Sequence, residues 1–257
     1  MRYFLLLILL LLPSASVFAS KIAIIIDDIG YRQSDKAVLT LPASITLSIL
    51  PHTPLGKNLA TKAYQQGNEI LVHLPMQALN GKAIGAGALT NAMSENELKT
   101  QVANAIKSVP HVTGANNHMG SLLTQLDTPM RWVMESLRLH DIYFIDSRTT
   151  KYTQAGIIAR SVGVPSLKRE IFLDNDKSKS GLEKQFQQAI TLAKTKKKIV
   201  VIAHPYPETI AFLTTNLYRL DAENIQLVPA SSLLPQQVVV TAAEQSELLQ
   251  DRDRKIW

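Results

Sequence analysis

The stretch Ile22–Tyr31, IAIIIDDIGY, runs five apolar residues straight into two adjacent carboxylates and then a glycine. A short, unbroken apolar run of this kind predicts a strand buried on both faces, as in parallel sheets. Asp27 and Asp28 then stand side by side at its C-terminal end. Two neighbouring anions repel, so the pair requires hydrogen bonds, a cation or a shared proton to coexist.

Working outward, the same pattern recurs. Candidate strands are Ile22–Ile26, Ile45–Leu50, Glu69–His73, Val112–Ala115, Ile142–Ile145, Ile199–Ala203 and Ile225–Leu227. Amphipathic segments lie between most of them: Pro54–Gln66, Ser94–Ser108, Pro129–Leu139, Thr153–Val162 and Gly181–Lys194. Ser94 and Glu97 have the spacing of a capping box at the start of a helix. Strand–helix alternation predicts an α/β fold with a parallel sheet, either open and doubly wound or closed into a (β/α) barrel. No Pro/Ser-rich linker divides the chain, so one domain is expected over residues 20–235. The segment Ala78–Ala92, with Gly81, Gly85 and Gly87, reads as a long excursion near a site rim.

The two ends read differently. Arg2, the apolar run Phe4–Leu12 and the small residues around Ala19 form the layout of a secretory signal peptide over residues 1–19. Nine apolar residues are too few to span a bilayer. The mature chain is therefore expected to be periplasmic, without a stable transmembrane segment. Residues 236–257 lack the alternation and read as a C-terminal tail. There are no cysteines, which excludes disulfides, thiolate metal sites and cysteine nucleophiles. The net charge of +6 suits a neighbourhood of anionic polymers. With no basic stripe interleaved with aromatics, nucleic acid is not an expected partner.

In parallel α/β folds, ligands collect beyond the C-terminal ends of the strands. There the sequence places Asp27 and Asp28, His73, Asn117 and His118, Asp146 and Arg148, and His204. A carboxylate with two neutral imidazoles is a common open ligand set for a catalytic divalent metal. Bound metal would also account for the adjacent aspartates, one as ligand and the other as base.

The stretches IIIDDIG, GNEILVHLPMQ, NNHMGS, FIDSRTT and IVVIAHPYPETI, in this order, resemble the divergent polysaccharide deacetylases. These are an offshoot of the polysaccharide and chitooligosaccharide deacetylase superfamily. The resemblance runs from about Lys21 to Leu234. It implies a distorted (β/α) barrel of about seven parallel strands. It also implies metal-dependent hydrolysis, with zinc as the metal, of N-acetyl or O-acetyl groups on an envelope or exported polysaccharide such as a peptidoglycan-like glycan. By the same resemblance Asp27 matches the general base, Asp28 and His73 match metal ligands, and His204 matches the general acid.

Two positions depart from the superfamily pattern. Gln77 stands where a second metal-binding histidine is usual, and no arginine near NNHMGS steers the catalytic aspartate. His118, on the next strand, is the expected replacement ligand. Arg148 and Arg169 are candidates either for the steering role or for structural ion pairs. Asp146 is expected behind a histidine or as a helix cap, Asn117 near substrate, and Asp174 as a turn or cap residue. Gln77 also motivates an alternative, in which a catalytically degenerate protein on the same fold binds glycan or a protein partner. A metal-dependent phosphoesterase would use the same ligand types, but the sequence has no phosphate cradle.

Overall fold

The computed structural model describes residues 20–235. The signal peptide expected over residues 1–19 and the tail over residues 236–257 lie outside the described residues. Nine strands occur in chain order: β1 Ser20–Ile29, β2 Thr46–Ile49, β3 Ile70–Met76, β4 Val112–Met119, β5 Tyr143–Asp146, β6 Ser166–Lys168, β7 Ile171–Phe172, β8 Lys198–Ala203 and β9 Ile225–Leu227. Seven α-helices join them: α1 Gly56–Gln65, α2 Glu95–Ser108, α3 Asp127–Leu139, α4 Ala155–Ser161, α5 Lys179–Lys196, α6 Pro207–Asn216 and α7 Tyr218–Ala222. The sheet order is β6-β5-β4-β3-β2-β1-β8-β7, with β9 also paired to β1. Every strand pair is parallel. The result is a curled half-barrel flanked by helices, a distorted (β/α) barrel left open between β6 and β7.

The seven expected strands are present, and β6 and β7 add to them. These two are three and two residues long. Runs so short leave no hydrophobic period to read. Strands β3 and β4 also run further than expected, through His73-Leu-Pro-Met76 and Asn116-Asn-His-Met119. Pro75 is tolerated inside β3 because β2 pairs with it only as far as Val72, and beyond that Pro75 needs only to accept, from the Leu89 amide at 2.8 Å. The chain begins α2 as its sequence indicates. Ser94 accepts from the Glu97 amide, and Glu97 accepts from the Ser94 amide at 2.8 Å.

The period of two along each strand sorts side chains into two cores. Ile22, Ile24 and Ile26 face outward and pack with helix residues such as Leu59, Val102, Val133 and Phe186. Ala23 and Ile25 face inward with Leu71, Tyr143, Ile145, Val200 and Ile202. Full burial of each such aliphatic side chain contributes about 1.5–3 kcal/mol. The inner core is plugged from below by Val228, Ala230 and Leu233. That segment is tied down by Ala230 N–H to Thr46 Oγ1 at 3.0 Å and Ser231 N–H to Glu69 Oε2 at 3.1 Å. Strand β9 pairs only with Ser20–Ile22, the N-terminal end of β1. The N-terminal mouth is thereby closed, and the inward polar residues gather at the C-terminal mouth.

Candidate active site

Alternation carries the inward face of each strand upward into polar residues. On β1, Ala23 and Ile25 lead to Asp27; on β3, Leu71 leads to His73; on β8, Val200 and Ile202 lead to His204. By the same rule Asp28 should point outward, away from Asp27. It does not, because Asp28 has φ +60 and the β1–β2 register shifts between Ile26 and Ile29. Aspartate is among the few residues that enter the left-handed region readily. Gly30 then turns the chain at φ +136, where a Cβ would lie 2.1 Å from Thr53 Oγ1. The bulge is what brings both carboxylates to one side.

Three donor atoms converge there. Asp28 Oδ1 lies 2.8 Å from His118 Nδ1 and 3.0 Å from His73 Nε2. One ligand atom from each of the three residues lies within 4.8 Å of the others. Asp28 Oδ1 is buried, yet neither ring nitrogen meets it with hydrogen-bond geometry, and among the described residues it has no hydrogen-bond partner. Close nitrogens and an oxygen without directed protons are what a shared cation requires. Carboxylate plus two imidazoles is also the right chemistry for zinc or a similar divalent ion. The residues therefore fit a metal. Burial opposes ionisation of Asp28, but contacts with His118 and His73 overcome it and hold its carboxyl far below the usual carboxylate range.

Asn116, absent from the sequence-derived candidates, organises the buried side of this cluster. Its Nδ2 donates to Asp27 Oδ1 at 2.8 Å. Its Oδ1 accepts from Ser48 Oγ at 2.6 Å and lies 2.6 Å from His73 Nδ1. An ionised Asp27 can only accept, so the amide nitrogen faces it and the amide oxygen takes the His73 Nδ1 proton. His73 Nε2 is left with its lone pair toward Asp28. Asn116 faces inward because it is two residues before His118 on β4, and it pairs directly with His73 in register. The doubled asparagine was visible in the sequence; which of the two faced inward was not. Replacing Asn116 with alanine would strand three buried polar groups. We expect a loss of about 2–4 kcal/mol in chemical denaturation of the domain, against no more than about 0.5 kcal/mol for a surface change.

Asp27 sits 2 % exposed. Burial pushes its carboxyl up, against the pull of His73, His204 and the Asn116 hydrogen bond. Its Oδ2 lies 3.7 Å from His73 Nε2. Burial tends to lower His73, but Asp27 and Asp28 outweigh it and its pKa is raised.

Asp174 is the main correction to the sequence reading. Rather than capping a turn, it is 3 % exposed and holds His204. Asp174 Oδ1 lies 2.9 Å from His204 Nδ1, while Oδ2 accepts from the His204 amide at 2.7 Å and from Thr209 Oγ1 at 2.9 Å. His204 Nε2 is left facing the cluster, 3.9 Å from Asp28 Oδ2. Burial alone would lower His204, but the Asp174 hydrogen bond and charge prevail and push it up to about 9. The raised value stabilises the fold fully below the ordinary histidine pKa of about 6.5. That contribution is lost as pH rises through about 9. The signal for Asp174 was again alternation, since Phe172 and Asp174 are two apart beside β8.

Gln77 has a structural task. Its Oε1 accepts from the Asn91 amide at 2.8 Å, its own amide donates to Leu89 O at 2.9 Å, and its carbonyl accepts from Leu122 and Leu123 at 3.1 and 3.0 Å. It pins the root of the 78–90 excursion. The third member of the donor cluster comes instead from β4, where His118 pairs in register with Pro75.

The remaining candidates lie elsewhere. Asn117 faces away from the cluster, with Nδ2 on Met119 O at 2.7 Å and Oδ1 accepting from the Ser147 amide at 2.9 Å. Asp146 accepts from the Arg148 amide at 2.8 Å and Thr153 Oγ1 at 3.0 Å, a local turn with no histidine contact among the described residues. Burial raises the Asp146 carboxyl, against those two hydrogen bonds. Asp146 and Arg148 line a separate cavity of about 740 Å³ beside Lys168 and Lys198. Among the described residues Arg169 forms no ion pair. Its Nε donates to Ser147 O at 2.6 Å and Nη2 to Arg148 O at 2.9 Å, and its guanidinium stacks 3.7 Å over Phe172. It ties the segment between β6 and β7 to the turn after β5, and Asn116 takes the place next to Asp27.

The family model for divergent polysaccharide deacetylase matches residues 24–234. An uncharacterized Escherichia coli K12 protein, YibQ, is 38 % identical over 246 residues, covering 95 % of this chain and 77 % of its own. An uncharacterized Haemophilus influenzae protein is 38 % identical over 231 residues, covering 90 % and 82 %. The crystal structure of the uncharacterized protein ATU2773 from Agrobacterium tumefaciens C58 superposes with a TM-score of 0.81 at 20 % identity, over 86 % of this chain and 92 % of that one. This last likeness concerns the fold.

Proposed function

The chain belongs to the divergent polysaccharide deacetylase family, and on that premise we propose that it hydrolyses the acetamide of an acetylated envelope glycan after export. The observation that carries the reading is the meeting, at one mouth of the half-barrel, of a three-residue metal set, a buried carboxylate and a histidine backed by a carboxylate.

A divalent cation held by Asp28, His73 and His118, zinc by the donor chemistry, would polarise the acyl carbonyl and acidify water. The chain's own groups move the protons. Asp27, held by Asn116, takes the proton of the water that adds to the carbonyl carbon. Its raised pKa brings it closer to the neutral range that favours a general base. His204 Nε2, protonated because Asp174 supports the imidazolium, gives its proton to the departing nitrogen as the C–N bond breaks. Acetate and a free amine result. Gln77 motivates the alternative of a catalytically silent glycan binder; His118 beside Asp28 and His73 supports the hydrolytic reading instead.

Acetate release measured against pH tests the assignment. Activity needs Asp27 ionised and His204 protonated, so the profile should be bell-shaped with an alkaline limb near 9. Asp174→Asn removes the negative charge behind His204 and lowers its pKa. The alkaline limb should therefore move down by at least about one pH unit, toward the ordinary histidine value of about 6.5, with the acid limb unchanged. An unmoved alkaline limb would mean His204 is not the acid. No acetate from any acetylated glycan, with metal supplied, would reject the hydrolase reading.

A further inference from the structure

A cavity of about 310 Å³ opens beside the cluster, with Asp28, His118 and His204 on its walls. It lies at the small end of ligand sites, which run from about 300 to 1,000 Å³. That size suits one or two sugar units. Ile84, Gly85 and Ala86 of the 78–90 excursion close part of it. Tyr31, which is 51 % exposed, and Tyr206 also line it and offer flat faces to a sugar ring.

The turn that follows β1 brings two further groups, neither of which the hydrolytic scheme uses. Arg32 lines the cavity, and among the described residues its guanidinium has no carboxylate within 4.0 Å and donates no hydrogen bond. Two other arginines are paired, Arg131 with Asp127 and Arg219 with Glu183. Asp35, 1 % exposed, also lines the cavity. Its Oδ2 accepts from the Gly30 and Arg32 amides, both at 2.9 Å, while its buried Oδ1 has no partner among the described residues. A buried carboxylate oxygen left without a donor is costly, so such an atom calls for a donor from outside the chain.

A neutral acetylated sugar supplies hydroxyl groups for Asp35 but leaves the Arg32 fork idle. We infer that the sugar taken by this cavity carries a carboxylate near its acylated position, paired with Arg32, while a hydroxyl donates to Asp35 Oδ1. The planar guanidinium matches a carboxylate through two parallel hydrogen bonds. Lys177 Nζ, 4.4 Å over the Tyr206 ring, adds positive charge at the rim. A phosphate is the poorer fit, because the Asp35 carboxylate on the wall repels a dianion more than a monoanion. This inference rests on the deacetylase reading for where the acyl group sits, but the binding preference it states does not require turnover.

The test compares N-acetylmuramic acid with N-acetylglucosamine, which differ by one carboxylate-bearing ether, as monosaccharides and within tetrasaccharides. Affinity is read by calorimetry on the zinc-supplied full chain, and acetate release is followed in parallel. The carboxylated probe should bind about 10- to 100-fold tighter, as expected for a charge-assisted hydrogen-bonded pair. Arg32→Gln should erase that ratio, and Arg32→Lys should keep part of it. Arg32 is exposed and its backbone amide is unchanged by either substitution, so the turn with Asp35 is retained. Equal affinity for the two probes, or a preference that Arg32→Gln leaves intact, overturns the inference. A preference lost in Arg32→Gln but unaccompanied by acetate upholds it and rejects hydrolysis. Equal acetate release and equal binding reject it and leave hydrolysis standing.

Discussion

Asp27→Asn is expected to lower acetate release by at least about 10³-fold while the metal content of the protein stays that of the parent. Positioned general bases contribute about 10²–10⁴-fold, and this one has no evident substitute. His73 and His118 are assigned to metal, and His204 donates its Nδ1 proton to Asp174. The substitution is also gentle on the fold. An asparagine oxygen can still accept from Asn116, which lies 2.8 Å from Asp27 Oδ1. Burial disfavours the charged form of Asp27, so a neutral isostere removes a cost of folding. Acetate assay, elemental analysis and a melting curve on one preparation suffice. A variant that keeps a tenth of the parent rate would show that Asp27 is not the base. A variant that loses metal would place Asp27 among the ligands.

His118→Ala should strip the metal from the protein. Losing only a hydrogen-bonding partner behind a ligand costs about 10- to 100-fold in metal affinity. Losing one of three ligands should cost more than that, and elemental analysis after purification without chelators would find little metal in the variant beside near-stoichiometric metal in the parent. The folded state should survive, because the His118 side chain is 23 % exposed at the rim and its removal leaves no sealed void. Asp28 would lose one of the two imidazoles that hold its carboxyl down, so its pKa should rise. Full metal in the variant would show that Asp28 and His73 find their third partner elsewhere. It would also reopen the question of why Gln77 replaced the usual histidine.

Much of the site was legible because alternation along a strand is local. Following Ala23, Ile25 and Asp27 up the inner face of β1, or Val200, Ile202 and His204 up β8, leads to a carboxylate and an imidazole that the structure places in the cluster. The same walk along β7 leads from Phe172 to Asp174. It was missed because two paired residues are too few to announce a strand. Arg148 and Arg169 were plausible partners for Asp27 by charge alone. The structure turns Arg169 to the carbonyls of Ser147 and Arg148, and an amide from β4 occupies the place beside Asp27.

By itself, the sequence determined the strand–helix alternation, the parallel α/β class and the presence of Asp27, Asp28, His73, His118 and His204 at or near strand ends. These follow from periodicities of two and 3.6 residues, which each segment carries alone. Tertiary structure alone decided which of these residues meet. It set β4 beside β3, so that Asn116 reaches His73, and β7 beside β8, so that Asp174 reaches His204 across 30 residues of chain. It also turned Asp28 through a left-handed bulge onto the face that alternation denies it. Neighbours across a parallel sheet are separated by whole helices in sequence, and no local period encodes their order or register.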